Sequence, residues 1–427
     1  MTISLPMIVI SRRPRRVGSG WDDAPSWLGG MPQLGGRPWP RGGVRQAPYY
    51  FVAQIDLAEV GREIQRRGGP NPLPDGALAF FIGPDSGGRD SGIVLHVPRS
   101  ELGEPTPPPA DAPAAFEPGG QVFPATFDPA APRLFPRWPV DVTALDVEPD
   151  AAPGADEDAQ VAALEEAQVA AVSRHFTRRA YFFTAKEAYG LVGDEARRFW
   201  WHSAHHYAAC LRTALHHLPT FVEGRRRFLE AARARLAGSK GADVQKAGEE
   251  VARLEAYVAE LERPAAEFER FAREVADWAM GADPWQPMPP EAVARLKETF
   301  ERGRTTFCEF TRYFTPYSLH DLETETLLAL ATADDRAYAA MPEAVRDLIN
   351  SRYLLPTGGC HQMFGRGVSI QGNAEVENEG NVMLLQLLYD DMMHWAFGDM
   401  GAFQFWIPLD DLAGWNWAAV RLTFECG

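Results

Sequence analysis

Two short stretches of the same character, one near each end of the chain, decide the fold: GALAFFI (residues 76–82) and GAFQFWI (residues 401–407). In each, a glycine precedes alternating apolar and aromatic side chains, which are typical of half-buried β-strands. Each also follows a strand-like run that carries a glutamine, FVAQI (residues 51–55) and LLQL (residues 384–387). We therefore hypothesise two related strand–connection–strand units that meet in one sheet. The alternative is that glycine followed by aromatic residues is simply common strand chemistry.

Further strand signals surround these stretches at both ends of the chain. Runs rich in Val, Ile, Phe and Tyr, bounded by Gly and Pro turns, predict strands over Tyr49–Leu57, Ala77–Ile82, Ile93–Val97, Val382–Tyr389 and Ala402–Ile407. The alternation of Val140 and Val142 predicts an additional edge strand. Residues 101–120, rich in Pro, Ala and Gly, favour an irregular surface loop.

Between the two ends, the apolar period changes from two to three and a half. The clearest seam, at alternating steps of three and four, is Val244, Ala247, Val251, Leu254, Val258 and Leu261. A matching stripe lies upstream over residues 228–236, and Gly238–Gly241 supplies a turn, so we expect an antiparallel αα-hairpin. Pro264 ends or kinks the second helix. The stripe could instead dock on the β domain or on a second subunit.

These patterns predict an α+β protein. Its mixed, largely antiparallel sheet is built from both chain ends, and a long α-helical insertion contains the αα-hairpin. The predicted boundaries are 1–148 for the N-terminal part of the β-rich domain, 149–158 for a linker, 159–355 for the insertion and 356–427 for the C-terminal part.

Composition excludes several functional classes. A net charge of −16 argues against binding to nucleic acid through phosphate neutralisation. We interpret the one basic run, RRPRR (residues 12–16), as a solvated arm. No apolar stretch is long enough to span a bilayer, and the N-terminus lacks the order of a secretory signal. The four cysteines are far apart and form no CxxC pair, so we expect reduced thiols in a cytoplasmic protein.

Several motifs, taken in order, resemble the YwqG-like family, a bacterial domain of unknown function. The matching stretches are LGGMP (28–32), WP (39–40), FVAQIDL (51–57), LPDGAL (73–78), HQMFG (361–365), IQ (370–371), LLQL (384–387), GDMG (398–401) and FWI (405–407). The resemblance covers the two ends and leaves the helical insertion unmatched. It implies an α+β fold with a large mixed sheet, and it implies no established reaction.

Two histidine clusters could carry metal or acid–base chemistry. His202 and His206 are four residues apart, which places both imidazoles on one face of a helix, although such residues often serve local hydrogen bonds. His394, after Asp390 and Asp391 and before Asp399, could hold a metal or form an acid–base pair. The alternative is that this acidic segment is a solvated connection between two strands. We expect neither a cofactor nor a metal.

An amide set forms the third candidate. Gln54, Gln371 and Gln386 lie in apolar runs, and His361-Gln362 is near in sequence; a buried Gln is costly unless it is hydrogen-bonded. The amides could bond loop backbone, which is a structural role, or line a ligand cleft with His361, Asp56 and Asp399.

The leading functional interpretation is a ligand- or protein-binding module, because the usual catalytic motifs are absent. Its partner would be an unknown protein, or a second copy bound through the helical insertion. The alternative is a hydrolase-like enzyme, metal-dependent or not, that uses His361 or the His394/Asp399 region. A third interpretation is an architectural subunit whose helical seam is covered by another chain.

Overall fold

The computed structural model describes residues 5–116, 132–145, 200–343, 346, 350 and 360–427, except for 19–20, 22, 44, 84–90, 242, 263–264, 313, 320–321, 323–325, 327–330 and 332–334 within those ranges. The chain divides into two compact units. A β-rich unit comprises Met1–Gly190 and Leu328–Gly427, and a helical unit comprises Leu191–Leu327. A large antiparallel sheet from both chain ends, with a helical region between them in sequence, confirms the predicted fold class. The predicted domain boundaries remain predictions.

The β-rich unit contains twelve described strands. In chain order they are β1 (Ile8–Arg12), β2 (Trp27–Leu28), β3 (Arg41–Gly42), β4 (Ala47–Pro48), β5 (Tyr50–Asp56), β6 (Ala77–Ile82), β7 (Gly92–Val97), β8 (Trp138–Ala144), β9 (His361–Met363), β10 (Asn381–Leu388), β11 (Ala402–Pro408) and β12 (Arg421–Glu425). Strands β3 and β4 form a small ribbon of their own. The other ten form one sheet, in the order β12-β11-β10-β9-β1-β8-β2-β5-β6-β7.

Strand pairing corrects one prediction made from the sequence. Every pairing in the described residues is antiparallel, and β5, β6, β7, β10 and β11 lie within a residue or two of their predicted bounds. The strand of Val140 and Val142, predicted at an edge, is β8, and it lies between β1 and β2 in the middle of the sheet. Alternation alone cannot tell the two positions apart, because β1, its central partner, is more than 120 residues away in the chain.

The sheet is built from two equivalent halves. In β5, Gln54 pairs with Trp27 on one side and Ala79 on the other; in β10, Gln386 pairs with Gln362 and Gln404. Both strands also carry a register shift at the same place, just before the glutamine. When the two halves are aligned by this shared register, GALAFFI and GAFQFWI occupy equivalent positions residue for residue, as the sequence hypothesis expected. The halves meet at the β1–β8 pair, around Ser11 and Asp141.

The two outer ends of this sheet come together in the core. Phe80 of β6 packs edge to face on Phe405 of β11, with ring centroids 5.2 Å apart. A side chain at Gly92 of β7 would collide with Phe405 and with Leu422 of β12. The edge strands β7 and β12, each paired on one side only, therefore cover each other, which is one way for a sheet to protect its edges.

The same left-handed turn follows the first strand of each half. Gly29 and Gly30 follow β2 with φ of 57° and 65°, and Phe364 and Gly365 follow β9 with φ of 60° and 70°. Glycine is the residue that adopts this region without strain. At Gly29 a side chain would also collide with the carbonyl oxygen of Pro136. Both turns direct the following loop back over the sheet.

The described helices are α1 (Leu57–Arg66), α2 (Trp201–Gly238), α3 (Asp243–Glu262), α4 (Ala265–Met280), α5 (Pro290–Thr306), α6 (Cys308–Thr311), α7 (Asp335–Ala340), α8 (Asn373–Glu377) and α9 (Leu409–Ala413). None of them combines the length and apolar character needed to cross a membrane. Short 3₁₀ turns lie at Arg99–Glu101, Asp391–Met393 and Trp417–Ala419.

The predicted αα-hairpin is formed by α2 and α3. Val251 and Val258 of the seam pack against Leu229 and Ala232 of α2, so the seam is used inside the helical unit. Cross-helix ion pairs, such as Arg233–Glu255, flank it. Pro264, which was predicted to end the second helix, lies outside the described residues. Association of two copies through this insertion remains a prediction.

The basic run is not the solvated arm that the sequence suggested. Arg12 and Arg15 are only 2% and 5% exposed. The guanidinium of Arg15 lies between the rings of Trp21 and Tyr338 and donates to the carbonyl oxygen of Ala331. Local charge density could not reveal this burial, because most of these partners are more than 300 residues away in the chain.

The turn after β2 gives a test of the fold. We expect Gly29→Ala to lower the free energy of unfolding by about 2–4 kcal/mol, because the methyl group adds a collision to the cost of the left-handed backbone. Gly36→Ala is the control: its φ is 78° but the space around it is open, so about 1 kcal/mol is expected. Urea denaturation followed by circular dichroism measures both. Equal losses would contradict the close approach to Pro136.

Candidate functional site

A buried charged network joins the N-terminal strand to the C-terminal half. Arg12, the last residue of β1, forms an ion pair with Asp390, which follows β10. His361 of β9 lies 2.9 Å from the same Asp390 oxygen. The side chains of all three residues are 1% exposed. This arrangement was not predicted, although the sequence had singled out His361 and the acidic segment of Asp390.

Backbone contacts fix the tautomer of His361. The N–H of Leu388 donates to Nδ1 at 3.1 Å, so Nδ1 carries no proton. Nε2 therefore carries the proton and donates a hydrogen bond to Asp390 Oδ2. The second Asp390 oxygen accepts from the N–H of Met392 at 3.0 Å. Both ring nitrogens of His361 are thus occupied within the protein.

The electrostatics favour a neutral histidine beside an ionised aspartate. Burial lowers the pKa of His361 below its ordinary value, and the contact with Asp390, which raises it, does not outweigh burial. Burial raises the pKa of Asp390, but Arg12 and His361 outweigh it and hold that pKa below its ordinary value. Cys360 is also buried, which raises the pKa of its thiol to about 12 and keeps it protonated.

The N-terminal half contains a counterpart of this network at the equivalent positions. The N–H of Asp56 donates to Ser26 Oγ at 3.0 Å, as the N–H of Leu388 donates to His361. Ser26 Oγ donates to Glu59 at 2.6 Å, and Arg13 lies 3.6 Å from that carboxylate. Burial raises the pKa of Glu59, against the lowering effect of Ser26 and Arg13. Each half thus has a backbone N–H, a side-chain relay, a carboxylate and an arginine.

His394 lies beside the buried network but is held differently. Its backbone has a φ of 56°, and its ring stacks on Phe116 with centroids 4.3 Å apart. Burial lowers its pKa to about 4, so the imidazole is neutral near pH 7. Asp399 is exposed and lies beside the C-terminal Gly427. Within the described ranges, no group of three or more His, Cys, Asp or Glu side chains is placed to hold a metal.

The structure brings together only part of the predicted amide set. Gln362 and Gln386 are neighbours on β9 and β10, whereas Gln54 lies in the other half and accepts from the N–H of Gln33 at 2.8 Å. Asp56 caps α1 and forms an ion pair with Arg99. Gln371 is exposed, and its backbone N–H donates to Glu425. The described contacts therefore do not bring the whole set together with His361, and a ligand site lined by these residues remains a prediction.

The histidine pair of the helical unit faces two different partners. His206 Nδ1 lies 2.9 Å from Thr326 Oγ1, and His202 packs on the ring of Trp285 with centroids 4.8 Å apart. Burial lowers the pKa of His202, so its ring is neutral near pH 7. His206 thus makes a local hydrogen bond of the kind weighed as the structural alternative, whereas His202 Nδ1 is buried and has no hydrogen-bond partner among the described residues.

Comparison with known proteins matches part of the chain to a protein family. A family model for a domain of unknown function, DUF1963, matches residues 242–426. The match is less than half of the chain, and it spans the elements from α3 to β12. It includes the C-terminal motifs but not the N-terminal ones, and it extends into the helical region that the resemblance left unmatched. No curated protein sequence matches the chain.

Sequence reasoning missed two residues that the structure makes central. Arg12 gave no signal of burial, because its partner is 378 residues away. Gln404 did leave a trace: it occupies the position of Ala79 when the two strand stretches are aligned, and a lone amide among aromatic side chains marks it. Its contacts place it beside Gln386 on the same face of the sheet.

The buried ion pair gives a sharp stability test. Asp390→Asn preserves size but removes the charge of the carboxylate that pairs with the buried Arg12 guanidinium, so the free energy of unfolding should fall by about 3–5 kcal/mol. Asp141→Asn removes the partner of the more exposed Arg13 and should cost less than about 1 kcal/mol. Chemical denaturation of both variants makes the comparison. Similar losses would show that Arg12 does not depend on Asp390.

Stability should also fall in mild acid. His361 and His394 have native pKa values below those of the unfolded chain, so the unfolded state takes up protons that the native state does not. Their contribution is complete above about pH 6.5 and decreases as the pH falls, for His394 down to about pH 4. His394→Gln should show a shallower decrease in melting temperature between pH 7.5 and 5. Parallel curves for the variant and the natural sequence would contradict this assignment.

Proposed function

We propose that the chain is a YwqG-like binding module of the bacterial cytoplasm, which recognises a ligand or a protein without changing it chemically. The observation that carries the proposal is the state of His361. The side chain is sealed from solvent, and its two nitrogens are used by Leu388 and Asp390. A histidine held in this way stabilises a fold and has no lone pair or proton available for a substrate.

The remaining hydrolase candidates do not assemble around it. Asp399 is exposed and its carbonyl oxygen accepts from the N–H of Gly427, while His394 is stacked on Phe116. Catalysis by an acid–base pair requires both groups within reach of one reacting atom. This separation supports binding over hydrolysis.

The cysteines support the proposed location. All four thiols are free, and Cys360 is buried. Disulfides form and persist in oxidising compartments, and their absence from the four positions fits a reducing cytoplasm. The family model that matches the C-terminal motifs describes a domain of unknown function, and this supports the YwqG-like assignment.

The proposal is tested by capture followed by reconstitution. The full chain is immobilised, a lysate is passed over it, and the retained component is purified and mixed with fresh protein. We expect a reversible complex whose bound component keeps its mass, with equal binding by His394→Gln.

Two results would contradict the proposal. A retained component that changes mass with the natural chain but not with His394→Gln would favour the hydrolase alternative. A monomeric chain that retains nothing would remove the support for a binding role.

A further inference from the structure

A row of three buried amides crosses the C-terminal half of the sheet. Gln362, Gln386 and Gln404 are register neighbours on β9, β10 and β11, and none is more than 3% exposed. We call these three residues the amide row. Each amide carries one donor group and one acceptor, and none carries a formal charge. The row therefore suits a neutral polar partner better than an ion.

The amide row holds main chain from the loop that follows β9. Gln362 Nε2 donates to the carbonyl oxygen of Arg366 at 2.6 Å, and Gln404 Nε2 donates to that of Val368 at 2.8 Å. In return, the N–H of Val368 donates to Gln386 Oε1 at 2.7 Å. The row thus recognises peptide groups through both donors and acceptors. The side chains of Arg366 and Val368 are not buried, so their identity contributes little to these contacts.

The N-terminal half shows how few amides are needed to fasten such a loop. At the equivalent positions it has Trp27, Gln54 and Ala79. There the single amide of Gln54 accepts from the N–H of Gln33 at 2.8 Å. The C-terminal half has two more amides, Gln362 and Gln404, than the N-terminal half uses to hold its loop. A buried amide is costly unless all its polar atoms are paired, so the two extra amides add donors and acceptors that must each find a partner.

One acceptor of the row has no donor. The Nε2 of Gln404 contacts two acceptors, the carbonyl oxygen of Val368 and Gln386 Oε1, and this fixes which way its amide faces. Its Oε1 is buried and, in the part of the chain that the structure describes, has no hydrogen-bond partner. The segment 366–368 therefore satisfies the row incompletely. An N–H group from another peptide segment would complete it.

The row also sets a size limit at one position. A side chain on Gly367 would collide with Gln404 Nε2 and crowd Met383 Sδ at 3.0 Å. Main chain that lies on the row without displacing the amide of Gln404 therefore carries glycine where Gly367 lies. This requirement gives the site specificity despite its dependence on peptide groups.

We propose that the amide row is a recognition site for an extended peptide segment with glycine at its centre, and that residues 366–368 occupy it in cis. This inference rests on the proposed binding function and names its site and ligand class. A partner segment competes with the chain's own segment and satisfies Gln404 Oε1. The recognised chemistry is an X-Gly-X main chain, with the N–H and the carbonyl oxygen of the third residue as its central contacts.

The test displaces the cis segment and supplies it in trans. In the full chain, Gly367→Val forces residues 366–368 off the row; the control is Gly103→Val, where the surrounding space is open. The probe is a fluorescent peptide of residues 364–370, FGRGVSI, and binding is measured by anisotropy. We expect Gly367→Val to bind it at least tenfold more tightly than the natural chain or Gly103→Val. Adding Gln404→Leu should weaken that binding at least tenfold.

Two altered peptides separate main-chain recognition from general stickiness. FGRAVSI places a methyl group against Gln404, and a peptide N-methylated at valine cannot donate to Gln386. Each should bind at least tenfold more weakly than FGRGVSI. Equal binding of all three peptides would overturn the proposal.

Folding of the variants is checked by near-ultraviolet circular dichroism. If Gly367→Val does not fold, Val368→Pro takes its place. This substitution removes the N–H group that donates to Gln386 Oε1, and it adds no bulk at Gly367. Folded variants that bind no more tightly than Gly103→Val overturn the proposal. Failure of both variants to fold also overturns it, because the contacts of residues 366–368 with the amide row would then be required for folding.

The outcome is distinguishable from failure of the binding role itself. A component captured by the natural chain and retained equally by Gln404→Leu would leave the binding function intact and overturn this site. A chain that captures nothing contradicts the proposed function, whatever the peptides do.

Discussion

The ion pair between Arg12 and Asp390 is the constraint on which the β-rich unit depends. It joins residues 378 positions apart, in a place that water does not reach. Removing either partner would leave a buried charge uncompensated, which is far more costly than losing a surface pair. The pair holds the end of β1 against the segment that follows β10, and β1, which lies between β8 and β9, joins the two halves into one sheet. His361 adds a neutral donor to the same carboxylate and ties β9 to the end of β10.

The two halves repeat a geometry while changing its chemistry. The same backbone N–H is accepted by Ser26 in one half and by His361 in the other, and each relays to a carboxylate beside an arginine of the N-terminal run. The side chains on either side of the central glutamine differ more between the two halves. In the N-terminal half, Trp27 and Ala79 belong to an apolar cluster, whereas Gln362 and Gln404 occupy the equivalent positions in the other half. One half thus offers a packed apolar surface, and the other offers amides that bind peptide groups.

Particular residues show how far the sequence predicts this architecture. The aromatic alternation of β6 and β11 was sufficient to place both strands and to suggest that they are equivalent, because the period of two is a local property. The seam of α3 likewise predicted a hairpin with α2. The site was less accessible. Gln386 was recognised as an amide that needed a partner, but its neighbours Gln362 and Gln404 come from strands whose pairing the sequence does not encode locally. Gln371, chosen as an amide within an apolar run, and Asp399, chosen because it follows His394 in the chain, are exposed instead.

By itself, the sequence determined the elements: the strands at both ends, the helical region between them, the turn glycines and an acidic composition. These features follow from side-chain periodicity, backbone preference and net charge, which act over a few residues or over the whole composition. The tertiary structure alone decided that Arg12 and Arg15 of the basic run are buried, that Val140 and Val142 lie in a central strand, and that His361 is sealed by Asp390. Each of these depends on contacts between residues far apart in the chain. Such contacts form only when both halves close around β1, because burial and ion pairing are properties of the assembled sheet.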